Sequence, residues 1–252
     1  MFESSLWSPE SIAVVVAVLL LAGFVNGVVG LGLPTVSLGL LTAVFGLKAA
    51  IALMLVPSFA TNLVQGLVGG ELAQIMRRLW LLMVVACITI WLSSALLAGA
   101  DTAILSAVLG MSLCLYSGLS LTRPQVQAPP DKERWLSPLV GAINGGLTGL
   151  TGSFVVPGVL YLQALGFPRD VFIQAMGVLF TVSTVALAGS MSGRGLLTAD
   201  LGLLSIVGLI PAFAGMNIGQ KVRKRLSEER FPQVFFISVG VLGAYIIVRS
   251  LL

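Results

Sequence analysis

Gly23-Phe24-Val25-Asn26-Gly27-Val28-Val29-Gly30-Leu31-Gly32-Leu33-Pro34 interrupts a run, residues 11 to 47, that holds no Asp, Glu, Lys or Arg. A second uncharged run, residues 135 to 168, is broken in the same manner by Asn144-Gly145-Gly146-Leu147-Thr148-Gly149-Leu150-Thr151-Gly152-Ser153, with Pro157 beyond. About 20 apolar residues suffice for one helix to cross the hydrocarbon core, so both runs are too long for a single crossing. Six further uncharged stretches, 49 to 70, 79 to 100, 102 to 122, 171 to 193, 201 to 220 and 231 to 248, fit one crossing each.

The rest of the chain agrees with that reading. It is 57% hydrophobic and 10% charged, with a mean hydropathy of +1.05, whereas a soluble domain carries about 25% charged residues. These values describe an all-α polytopic membrane protein with no room for a separate soluble domain. The net charge of +4 resides in short loops between spans, where basic residues set topology rather than bind nucleic acid. Glu3 and Glu10 replace the basic n-region of a cleavable signal, so the first hydrophobic run is expected to be retained. Cys87 and Cys114 lie inside apolar runs and the chain has no His. Neither a metal site nor a disulfide is expected, and no cofactor is implied. Hydrolytic or redox catalysis would need a buried His, an acidic pair or a thiol cluster, so the composition argues against an enzyme.

The basic residues decide how the halves are related. If every uncharged run crosses once, Lys and Arg divide seven against seven between the two faces. If each long run is instead a hairpin that returns to its own side, eleven share one face: Arg77, Arg78, Arg123, Lys132, Arg134, Arg169, Lys221, Arg223, Lys224, Arg225 and Arg230. Only Lys48, Arg194 and Arg249 stay opposite. The positive-inside rule selects the second arrangement, with both termini outside the cytoplasm. It predicts two inverted repeats, residues 1–122 and 135–252, joined by a cytoplasmic linker, 123–134. Each repeat is a broken-helix hairpin followed by three transmembrane helices. Glycine can take backbone angles that end a helix, and Pro34 suits the first turn of the next. Irregular backbone at membrane depth is tolerated only where protein buries it or water reaches it, so the breaks are expected to line a cavity and to meet near its centre. Such paired interruptions point to the binding site of a carrier.

With these motifs placed, the sequence resembles the TauE/SafE sulfite exporter family of prokaryotic membrane transporters. The resemblance spans nearly the whole chain. It is carried by Gly23 to Gly32 in the first half and by Gly141 to Gly152, Pro157, Tyr161-Leu162-Gln163 and Gly166 in the second. It implies an inner-membrane carrier of small sulfur-containing anions such as sulfite, thiosulfate or organosulfonates, working by alternating access. An anion channel and a non-transporting membrane subunit are the other readings. Which anion, which direction, which coupling ion and which oligomeric state are left open.

An anion in such a cavity needs positive potential, yet neither long run contains Lys or Arg. Helix N-termini supply it through unpaired N–H groups, here near Pro34 and near Ser153. Gly30, Gly32 and Gly152 would let backbone approach the ligand, with Thr148, Thr151 and Ser153 as hydroxyl donors. Asn26 and Asn144, read as the same place in both repeats, would be amide donors. The next helix of each half adds Asn62 and Gln65, beside Thr61, and Gln174, Ser183 and Thr184, beside Thr181. Lys48 and Arg169 follow the two hairpins and would attract anions to opposite mouths of the pathway. Trp7, Trp80 and Trp135 read as interface aromatics, and Trp91 as internal packing.

Overall fold

The computed structural model describes residues 6–30, 33–122, 132–223 and 230–251, and the described residues form eleven α-helices without a strand. In the first half, α1 (Pro9–Val29) and α2 (Leu33–Phe45) form the hairpin, followed by α3 (Leu47–Leu67), α4 (Leu72–Gly99) and α5 (Thr102–Thr122). In the second, α6 (Glu133–Thr151) and α7 (Gly158–Ala164) are followed by α8 (Arg169–Gly193), α9 (Ala199–Val207) with α10 (Leu209–Arg223), and α11 (Arg230–Leu251). Of the expected linker, 123–131 lie outside the described residues, and its last residues already belong to α6, which starts at Glu133. Gly32, Lys224 and Arg225 also lie outside the described residues.

Among the described residues six helical segments are long and apolar enough to cross a membrane, α1 and the α9–α10 span Ala199–Arg223 included. Alpha1 starts where Pro9 occupies the first turn and the Ser8 side chain accepts from Ser11 N–H. In α3, Pro57 has no N–H for the Leu53 carbonyl four residues earlier. Ser205 of α9 supplies the missing donor: its Oγ donates to Leu53 O at 2.8 Å and accepts from Val56 N at 3.1 Å.

The halves pack by exchanging equivalent helices. Alpha1 lies on α10 and α6 on α4, so each hairpin's first arm meets the third long helix of the other half. Alpha3 lies on α8 and α5 on α11, each against its own counterpart. Glycines make these approaches possible, because lipid offers no hydrophobic drive and backbones must come close to gain contact. A Cβ on Gly27 would sit 2.2 Å from Met216 O, one on Gly141 2.5 Å from Leu82 O, one on Gly177 2.5 Å from Gly66 N, and one on Gly110 2.6 Å from Gly243 O.

The ends of the bundle differ in charge. At one end Lys48 Nζ donates to Ala98 O, Trp7 Nε1 to Asp200, and Arg249 shares a groove with Gly46 and Thr102. At the other, Arg78 pairs with Glu133 at 2.6 and 3.0 Å and lies 4.6 Å over the Phe167 ring. Lys132 and Arg134 flank Glu133 there, and Arg77 flanks Arg78. Trp91 corrects the packing expectation. It is 48% exposed on the outer surface of α4, its ring edge covering Gly189 of α8 while its carbonyl accepts from Arg194 at 2.9 Å.

Candidate functional site

Both hairpins end their first arm on a left-handed glycine: Gly30 at φ 77° caps α1 and Gly152 at φ 74° caps α6. That conformation costs a residue with a Cβ about 1 to 2 kcal/mol, so glycine belongs there. Gly30 rests on Ile173, the fifth residue of α8, and Gly152 on Ile51, the fifth residue of α3. Alpha3 and α8 start at opposite ends of the bundle, so the breaks lie about one turn inside opposite faces. They do not meet at the centre as expected. The 21 residues of α1 span about 30 Å at 1.5 Å each, enough to carry the chain almost across before it breaks.

The caps also set the register between the halves. Gly30 N donates to Asn26 O, and Gly152 N donates to Thr148 O. Counted from the cap, Asn26 therefore corresponds to Thr148, and Asn144 stands one turn earlier. The expected equivalence of the two asparagines does not hold. Their surroundings differ accordingly: among the described residues Asn26 Nδ2 reaches only the Met216 sulfur at 3.8 Å, whereas Asn144 Oδ1 accepts from Gly158 N at 3.0 Å.

The second break corrects the electrostatic expectation. Helix α7 starts at Gly158 and has seven residues, so Ser153 is five residues ahead of it and starts no helix. Val155 O, Pro157 O and Asn144 Oδ1 serve the first turn instead. Thr148 Oγ1 donates to Ser153 O at 2.9 Å, while Thr151 Oγ1 donates to Leu147 O at 2.7 Å and accepts from Ser153 N at 3.2 Å. These hydroxyls brace the break, and Phe154 seals it against Phe180 of α8, ring centroids 5.7 Å apart. In the first break Pro34 is the second residue of α2 and buried, and Ser37 Oγ donates back to Leu33 O.

On α3 and α8 the predicted polar residues separate into engaged and unpartnered groups. Gln65 Nε2 donates to Gly30 O at 3.2 Å and Ile173 O at 2.9 Å, clasping the first break to α8. Gln174 holds the same end of the α3–α8 pair from the α8 side, its Nε2 donating to Gly66 O and its Oε1 accepting from Glu71 N. Thr61, Thr181 and Thr184 donate to carbonyls of their own helices. Among the described residues, Asn62 Nδ2, Ser183 Oγ and Asn144 Nδ2 remain buried without a partner, and so does Ser58 Oγ. Sequence reading missed Ser58, although it stands one turn before Asn62 and on the same face. These four residues are at most 1% exposed. They belong to α3, α8 and α6, and α8 packs on both of the others. The Asn144 amide orientation is fixed, because only its oxygen can accept from Gly158 N–H, so the free group is a donor. Lys48 caps the carbonyl end of α4 through Ala98 O, and Arg169 is exposed at the start of α8.

A family model described as Sulfite exporter TauE/SafE matches residues 15–246 of the 252-residue chain. No curated protein and no solved structure matches.

Proposed function

Because the chain belongs to the sulfite exporter TauE/SafE family of membrane transporters, we propose that it carries small sulfur-containing anions, such as sulfite, thiosulfate or organosulfonates, by alternating access. The observation that carries this reading is the unpartnered set Ser58 Oγ, Asn62 Nδ2, Asn144 Nδ2 and Ser183 Oγ. A buried polar group without a partner costs about 1 to 3 kcal/mol. Two amide NH2 groups and two rotatable hydroxyls can all donate, and an oxyanion offers only acceptors. A bound anion would therefore satisfy groups that the closed protein leaves unmet. Their position on α3, α8 and α6 supports a site between the halves. The exchanged helix pairing supports an inverted repeat, and the collection of Arg77, Arg78, Lys132, Arg134 and Arg169 at one end supports a cytoplasmic location for that end, with both termini outside.

Counterflow of radiolabelled sulfite or thiosulfate in proteoliposomes tests the reading. Wild-type protein should exchange label in a saturable manner, and Asn62→Ala and Ser183→Ala should each weaken it about tenfold or more in folded protein. Wild-type exchange in both variants would remove these residues from the site. Unsaturable flux would instead assign the protein to the channels.

A further inference from the structure

The bundle end that carries Lys48, Arg194 and Arg249 has a groove formed where α2 ends, α5 begins and α11 ends. It is a cavity of about 390 Å³ lined by residues that include Thr42, Thr102, Ser106, Arg249 and Ser250. Among the described residues no acidic side chain lines it. The three cations at this end differ. Lys48 is engaged by Ala98 O, and Arg194 by Trp91 O and Ser190 Oγ. Arg249 makes no hydrogen bond or ion pair among the described residues. Thr42 of the groove lining is 7% exposed; its hydroxyl oxygen is buried and has no partner among the described residues, and a turn about χ1 would bring it to the groove. The amino end of α5, a helix of 21 residues, opens on the same space and adds partial positive charge. Asp101 stands next to that end, but its Oδ1 accepts from Ala103 N at 2.8 Å and so caps the helix.

We propose that this groove is a second anion site, distinct from the buried set between α3, α6 and α8, and that it binds a small tetrahedral oxyanion through Arg249 and the Thr42 hydroxyl. A free sulfate or phosphate and the phosphate of a lipid headgroup share that chemistry. Guanidinium supplies paired donors suited to an oxyanion, and Thr42 gains the partner it lacks. Occupancy bridges α2, the returning arm of the first hairpin, to α5 and α11.

Titration calorimetry on detergent-solubilised protein at constant ionic strength tests it, with sodium sulfate in one arm and dihexanoyl phosphatidylglycerol below its micellar concentration in the other. Wild type should bind at least one probe saturably. Arg249→Gln should weaken that binding tenfold or more, Thr42→Val about threefold, and Arg249→Lys less than Arg249→Gln. Asn62→Ala should leave it intact, which separates this site from the transport site. Sulfate binding alone identifies a free oxyanion as the ligand, and lipid binding alone identifies a headgroup. Absence of saturable binding in both arms, or unchanged affinity in Arg249→Gln, overturns the proposal. Arg249 is exposed, so its replacement leaves the fold intact and the result readable.

Discussion

The two hairpin breaks look alike in sequence and are held in opposite ways. The first is clasped from outside: Gln65 of α3 joins Gly30 O of the first half to Ile173 O of the second. The second is held from within by Thr148, Thr151 and Asn144 of its own hairpin, with Phe154 as the plug. Any sliding of α3 against α8 is therefore felt at the first break through Gln65, while the second can move as a braced unit. Under the proposed alternating access, a moving part must differ from a supporting one, and the side chains around two nearly identical caps would supply that difference.

The largest effect expected from breaking this comparison is at the plug. Phe154 is fully buried, and removing a buried phenylalanine side chain leaves a cavity that costs about 3 kcal/mol or more. Phe154→Ala should lower the unfolding midpoint in detergent and raise amide exchange over 152–158, with residues 26–30 unaffected. Exchange rising equally at both breaks would mean that they are one cooperative unit.

Next come the caps themselves. Gly152→Ala and Gly30→Ala share the left-handed penalty of about 1 to 2 kcal/mol. A Cβ at Gly152 would stand 2.7 Å from Ile51 Cγ1, but one at Gly30 only 3.4 Å from Ile173. Overpacking adds about 1 kcal/mol or more at the second cap alone. Thermal unfolding should rank Gly152→Ala below Gly30→Ala, and equal midpoints would show that Ile51 yields freely.

The clasp is worth about as much as the lighter cap. Gln65→Leu keeps the volume and strips donors from two carbonyls, with an expected loss of about 2 kcal/mol, or less if the unfolded chain finds partners in lipid. Exchange should rise at 26–30 and along the start of α8, not at 152–158. Protection lost at the second break instead would reverse the comparison.

Much of this arrangement was legible in the chain. Gly30, Pro34 and Gly152 inside uncharged runs announce the broken arms, because no other residues end and restart a helix so readily. The eleven basic residues against three announce the hairpins. Other features were hidden for physical reasons. Thr151 and Ser153 look like free donors, but a hydroxyl in a helix finds its own carbonyl four residues back by default, and Thr151 does. The late start of α7 goes with Phe154 packing on Phe180, a contact across 26 residues that no local pattern encodes. The offset of the caps was hidden because Asn26 and Asn144 match as letters, whereas counting from the caps sets Asn26 beside Thr148.

That register carries the last prediction, the smallest in magnitude and the one that most sharpens the comparison. Asn144 accepts from Gly158 N–H and keeps a free amide donor, so Asn144→Ala orphans a buried N–H and removes a proposed ligand contact. The expected outcome is a loss of about 1 kcal/mol in stability together with weaker counterflow. Among the described residues Asn26 has only the Met216 sulfur within reach, a weak acceptor, so losing that contact leaves no strong partner unmet among them. Asn26→Ala should stay within about 0.5 kcal/mol of wild type and exchange label normally. If both variants lost transport to the same degree, the asparagines would be functional equivalents despite their offset, and the register would have to be drawn from the ligand rather than from the caps.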